Sequence, residues 1–287
     1  MEQYGGDHLD FQNGVFHGPV VGKHEEHHHS PAVPTALFGL PPRPPGFTGR
    51  DAEVDAVLAA LDPGGGSGAG VVLSAGMGGV GKTALAVAAG HAALARGRFA
   101  GALFVDLLGY STPVPPETAL GSMLRALGVP AERLPAETRD LAVLYRSMLH
   151  RRAAEHGGPI LVVADNASSV DQVEPLLPGD DRGRLLITSR DVLHPLPARR
   201  LELFVLSPAS SVALLVAQLR VNDPADPRTG ADPAALTRVA ELCAGLPLAV
   251  RGAASARGRG SARRKRPGDP GRKSSTLVDR RSVVNYG

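Results

Sequence analysis

The run "GMGGVGKT", Gly76 to Thr83, carries the strongest chemistry in the chain. It meets every fixed position of G-x-x-x-x-G-K-[ST], a loop that wraps phosphate. Gly76, Gly78, Gly79 and Gly81 free the backbone to curl, so that its N–H groups converge on an anion. Val80 and Ala84 fall in the same nucleotide-facing stretch. A helix opening at Lys82 adds partial positive charge at its N-terminus. Lys82 has the reach for β- and γ-phosphates, and the Thr83 hydroxyl can ligate Mg²⁺. That metal needs a carboxylate, and "ILVVADNAS" offers one. Four apolar residues run into Asp165 at the end of a predicted strand, where open α/β sheets place their ligands. Mg²⁺ keeps much of its hydration, so Asp165 is expected to act through water. Asp106, ending "LFVD", is a competitor for the same role. Asn166 stands where a hydrolysing enzyme often holds a second carboxylate. An amide orients water but cannot accept its proton, so any hydrolysis is expected to be slow. Arg190, ending "LLITSR", can reach a γ-phosphate, or can instead pair with a neighbouring carboxylate.

The elements that must position these groups alternate. "VVLSA" (71–75) reads as a short buried strand and "KTALAVAAGHAALAR" as an Ala-rich helix. Further strands are predicted at 102–107, 160–165, 184–189 and 200–206, with helices at 117–127 and 138–155. Strands that are apolar throughout and separated by helices imply a parallel sheet covered on both faces. The expected fold class is α/β, a P-loop NTPase with a five-stranded, mainly parallel sheet, followed by a partial helical subdomain. Upstream, "FTGRDAEVDAVLAAL" spaces Val54, Val57, Leu58 and Leu61 for a helix, with Thr48 as its cap. "DPGGGSGAG" then reads as a flexible linker. After Ser207 the pattern is wholly helical. "GLPLA" reads as a turn that starts a helix with Pro247 near its first position.

In this order, "FTGRDAEVDAVLAAL", "GMGGVGKTALA", "ILVVADNA", "LLITSR", "LFVLSPASSVALL" and "CAGLPLAV" resemble the NB-ARC domains of the STAND signalling ATPases, of the actinobacterial regulator type. The resemblance spans about residues 44–250. It implies ADP or ATP with Mg²⁺ as cofactors, Phe47 and Arg50 beside the adenine, and Lys82 and Thr83 on phosphates and metal. It also implies Asp165 as the metal-side acid, Arg190 as the γ-phosphate sensor and Pro247 as a nucleotide contact from the helical subdomain. The implied function is a nucleotide-controlled switch with weak ATPase activity that assembles with itself or with an effector protein. The family pattern stops after "GLPLA", so the chain reads as a truncated member.

The ends divide from the body by charge. The 287 residues hold 31 basic and 28 acidic side chains. Residues 251–287 carry 11 of the basic and two of the acidic ones, leaving 20 against 26 in the rest. The tail beyond 254 is Gly-rich, poor in apolar residues and expected to be disordered, with Gly252 breaking the last helix. It reads either as a basic arm for nucleic-acid phosphates, which would make the protein a DNA-associated ATPase, or as the product of an interrupted gene. The acidic body carries no DNA-reading motif. Residues 1–46 read as a largely disordered leader. It contains a hairpin signal at Asn13-Gly14, a histidine run at 24–29 that reads as solvated linker, and the proline spacer "LPPRPPG". The expected units are thus 1–46, 47–206, 207–254 and 255–287. A single cysteine, Cys243, and the lack of a signal-peptide pattern or long apolar run imply the cytoplasm and no membrane.

Overall fold

The computed structural model describes residues 35–62, 70–230 and 232–256. The Asn13-Gly14 hairpin, the histidine run, most of the Gly-rich linker and the tail from 257 lie outside the described residues. Five strands form one sheet: β1 (Val71–Ala75), β2 (Gly101–Asp106), β3 (Ile160–Ala167), β4 (Gly183–Ser189) and β5 (Arg199–Glu202). All pairings are parallel, in the order β2-β3-β4-β1-β5. Along β1 and β4 every side chain is buried, because helices cover both faces and each Val, Leu or Ile meets an apolar layer whichever way it points.

Helices α1 (Asp51–Leu61) and α2 (Lys82–Ala95) form one layer, where Val57, Leu58 and Leu85 pack on Val72, Leu161 and Leu186. Helices α3 (Pro116–Ala126), α4 (Thr138–Glu155) and α5 (Val170–Val173) form the other, where Leu120, Leu124 and Leu149 pack on Leu73, Leu103 and Leu185. Each fully buried leucine contributes roughly 2 kcal/mol, so the two apolar layers hold the sheet. A third cluster joins α6 (Pro208–Asn222), α7 (Pro233–Leu242) and α8 (Pro247–Ser255) around Leu214, Leu215, Leu219 and Val250.

Several expectations change. The fifth strand ends at Glu202 rather than 206: the Leu203 N–H makes a last bond to the Ala75 carbonyl, and the Leu206 N–H bonds to the Gly245 carbonyl. Residues 203–206 therefore bridge from the sheet to the helical part. Arg50, not Thr48, occupies the cap position of α1, and no side chain caps that helix. Helix α8 runs through Gly252 to Ser255, because Val250 and Ala254 bury its inner face and that packing outweighs the roughly 1 kcal/mol cost of a helical glycine. Residues 35–46 are docked rather than loose. The Gly39 N–H bonds to the Ala102 carbonyl and the Ala102 N–H to the Leu37 carbonyl, so this segment covers the free edge of β2.

Candidate functional site

The sheet order brings the chemistry together. β4 lies between β1 and β3, and Ala75 pairs in register with Ser189. The phosphate loop leaves β1, Asp165 sits near the end of β3, and Arg190 follows β4. All three meet at the carboxyl edge. The loop turns through Gly79 and Gly81, whose φ values of +78° and +100° are strained for any other residue.

Lys82 is buried, and its Nζ donates to the Gly76 carbonyl at 2.7 Å and the Met77 carbonyl at 2.9 Å. Burial pushes its ammonium below the ordinary value. The nearby Arg190 charge adds to this, and Asp165 opposes it. The Thr83 hydroxyl lies 2.9 Å from both oxygens of Asp165. Thr188, on the intervening strand, donates to the same carboxylate, and its oxygen accepts the Asn166 N–H at 3.0 Å. Asp165 is 2% exposed. Burial pushes its carboxyl above the ordinary value despite the bonds from Thr188 and Thr83.

A buried carboxylate with no salt-bridge partner among the described residues, touching the hydroxyl of a phosphate-loop threonine, fits a divalent cation. Among the described residues, no group of three or more His, Cys, Asp or Glu side chains gathers to hold a metal by itself. A cation here would complete its shell with water and phosphate oxygens, as suits Mg²⁺. Asp106 pairs in register with Asp165. Asn166 joins the two acids, its Nδ2 donating to Asp106 at 3.1 Å and to Asp165 at 3.2 Å. Its φ of +58° marks an irregularity in β3 that turns the amide toward the cleft.

A cleft of about 400 Å³ opens from this edge, within the range of small-ligand sites. Its polar lining includes Lys82, Thr83, Asn166 and Arg190 with the glycines of the phosphate loop, and its apolar lining includes Pro41, Pro42, Pro44, Phe47, Val87 and Leu214. Such a mixed lining suits a ligand with an anionic part and a flat, weakly polar part. Of the residues singled out in the sequence, Val80, Ala84, Arg50 and Pro247 also line the cleft. Gly76 contributes its carbonyl to Lys82, and Asp165 is bonded to the Thr83 hydroxyl without itself lining the cleft.

Arg50 lines the cleft as expected and also makes structural bonds that the sequence did not suggest. Its guanidinium bonds to Glu53 at 2.6 Å and donates to the Val80 and Phe204 carbonyls, so it ties α1, the phosphate loop and the strand exit together. The proline run read as a spacer forms one wall, and His91 Nε2 lies 2.8 Å from the Pro41 carbonyl. The run ends at Gly46, directly before the expected adenine-side Phe47, and that adjacency was the available signal. Thr188 was legible only as the first residue of "TSR" in "LLITSR". The helical part closes the cleft: the Leu248 N–H donates to the Gly79 carbonyl at 3.3 Å, and a Cβ on Gly81 would stand 3.8 Å from the Pro247 ring.

The profile of the AAA ATPase domain family matches residues 46–199. The chain is 41% identical over 219 residues to the regulatory protein AfsR of Streptomyces griseus and 40% identical over 224 residues to AfsR of Streptomyces coelicolor. In each case 75% of this chain and 21% of the relative align, so the chain spans about a fifth of the length of these curated relatives. Among solved structures, the ADP form of Aeropyrum pernix ORC2 superposes with a TM-score of 0.50 at 18% identity, over 74% of this chain and 63% of that one; this is a likeness of fold. More than half of the residues fall within the matched profile, and they include the phosphate loop, Asp165 and Arg190: the chain belongs to the AAA ATPase domain family.

Proposed function

We propose that the chain is a nucleotide-controlled regulatory switch of the NB-ARC, STAND type, binding ADP or ATP with Mg²⁺ between its sheet and its helical part. The observation that carries this reading is the docking of α8 on the phosphate loop. Pro247 and Leu248 touch the turn that would hold the phosphates, so occupancy of the loop and placement of the helices are coupled. A nucleotide biases such an arrangement only through different affinities for its forms. The γ-phosphate, within reach of Lys82 and Arg190, supplies that difference between ATP and ADP.

In this reading the apolar lining of the cleft takes the adenine, with Phe47 and the proline wall against it. Lys82 moves from the Gly76 and Met77 carbonyls to phosphate oxygens. Thr83 and Asp165 hold Mg²⁺, which supplies neutralising charge to the phosphates. Asn166 orients water without taking its proton, so hydrolysis is slow and the bound state persists. The resemblance to proteins named as regulators supports a signalling role, with self-association or an effector protein as the output. The test is the mass of nucleotide carried through purification by wild type and by Lys82→Ala. ADP in the wild type alone is expected. No nucleotide in either, with none bound on addition, would overturn the reading.

A further inference from the structure

Tyr110 lies in the loop after β2, outside every motif of the sequence. We propose that Tyr110 is a positioning residue for Arg190, holding its guanidinium unpaired at the mouth of the phosphate loop. The inference rests on the reading of Arg190 as a γ-phosphate sensor.

The loop is brought to the site by Gly109. Its N–H donates to the Asn166 carbonyl at 2.8 Å, and a Cβ there would stand 2.6 Å from the Ser168 nitrogen, so only glycine lets the loop lie this close to β3. Tyr110 is thereby laid beside the ends of β3 and β4. Its hydroxyl sits 3.0 Å from the Ala167 carbonyl, 3.0 Å from Ser189 Oγ and 2.9 Å from Asp191 Oδ2. A phenol has one proton to donate. Ser189 already donates to the Ala167 carbonyl at 2.7 Å, and its oxygen accepts the Asp191 N–H at 2.9 Å. The Asp191 carboxylate is therefore the acceptor that best takes the tyrosine proton, since a charged acceptor makes the stronger bond. The phenolic oxygen in turn accepts the Arg190 N–H at 2.6 Å.

Arg190 is held a second time by the same residue. Its guanidinium carbon lies 4.3 Å from the centre of the Tyr110 ring, a cation–π contact that fixes the head group without neutralising it. A Cβ on Gly78 would stand 3.7 Å from that carbon, so the guanidinium hangs over the phosphate loop. Asp191 is the adjacent residue, yet its carboxylate is engaged by Tyr110, and Arg190 has no ion pair among the described residues. One aromatic residue thus pins the backbone of Arg190, supports its side chain and occupies the carboxylate that would otherwise quench it.

The test compares affinities of the full chain for a non-hydrolysable ATP analogue and for ADP, both with Mg²⁺. Tyr110→Leu is expected to weaken analogue binding about threefold to fivefold, the size of an exposed cation–π contact, with ADP affinity within about twofold of wild type. The double variant with Arg190→Ala should bind the analogue no more weakly than Arg190→Ala alone. Equal losses for both nucleotides, or a further loss in the Arg190→Ala background, would overturn the proposal. An Arg190→Ala variant with an unchanged analogue-to-ADP ratio defeats the sensor reading and this proposal together. A lowered ratio in Arg190→Ala but not in Tyr110→Leu defeats this proposal only. Should the leucine variant not fold, Tyr110→Phe decides. The freed Asp191 carboxylate would pair with Arg190 and cost about twofold to threefold in analogue affinity, an effect in the range of surface ion pairs, and Asp191→Ala should restore it. An unchanged ratio in Tyr110→Phe overturns the inference.

Discussion

Replacing Arg50 with alanine separates a strut from a ligand contact. The side chain is 7% exposed, and its guanidinium reaches Glu53 and the carbonyls of Val80 and Phe204. A hydrogen bond to a charged group is worth about 1.5–3 kcal/mol when made, and an orphaned buried acceptor costs a similar amount. The bond to Val80 is long at 3.3 Å and contributes least. The Glu53 side chain is 36% exposed, so its share is discounted for solvent screening. Two effective contacts then leave a loss of about 3 kcal/mol for Arg50→Ala, the lower end of what breaking a buried pair costs. For a chain of this size that is roughly 6–12 °C in melting temperature. Arg50→Lys keeps the charge but not the fork, so it should recover less than half of the loss. The assay is thermal and urea unfolding without nucleotide. A change of less than about 1 kcal/mol in Arg50→Ala, with nucleotide affinity lost, would refute the strut and return Arg50 to the nucleotide.

Asn166→Asp places a proton acceptor next to Asp165 and should raise single-turnover ATP hydrolysis at least about tenfold, toward the usual gain from a positioned base; an unchanged rate contradicts the role given to this amide. Asp165→Asn should remove metal-dependent nucleotide binding yet stabilise the nucleotide-free protein. Burial raises the Asp165 carboxyl in the folded state, so its favourable contribution is full below the ordinary aspartate value and is lost as pH rises through the raised one. Urea midpoints from about pH 4 to pH 8 should therefore fall more in wild type than in Asp165→Asn; parallel curves would contradict the sign. The Tyr145 hydroxyl is fully buried in the core without a hydrogen-bond partner among the described residues. Tyr145→Phe should thus stabilise by about 1 kcal/mol, read as a rise of roughly 2–4 °C.

Strands β1 to β4 were legible because they are mostly apolar on both faces, whereas β5 exposes Arg199, Arg200 and Glu202. The first predicted strand matches β1 (Val71–Ala75) at both ends, and the helix predicted at 138–155 is α4. Strand order was not legible: nothing in the spacing of "ILVVAD" and "RLLITS" says that β4 enters between β1 and β3, and without that order the bond from Thr188 to Asp165 has no sequence signature. "RLELFVL" reads as seven strand residues (200–206), yet of these only Arg200, Leu201 and Glu202 lie in β5, since tertiary bonds to Arg50 and Gly245 claim the end of the run. The phosphate loop needed no structure because backbone curl, helix start and lysine reach are all local. The arrangement around Arg190 did, because Tyr110 is 80 residues away in sequence and is joined to it only by the β2–β3–β4 pairing. The proline run shows the same limit, since a stiff segment reads identically whether it spans solvent or walls a cleft.

Coupling between the phosphate loop and α8 is the central claim, and hydrogen exchange at residues 246–252 measures it most directly. The Leu248 amide is bonded to the Gly79 carbonyl, so its protection reports whether α8 sits on the loop. With ADP and Mg²⁺ the amides of this segment should exchange more slowly than in the nucleotide-free protein. With a non-hydrolysable ATP analogue they should exchange faster than with ADP, and Arg190→Ala should abolish that difference. Identical protection in the two nucleotide states of the wild type, at saturating occupancy, would contradict the account.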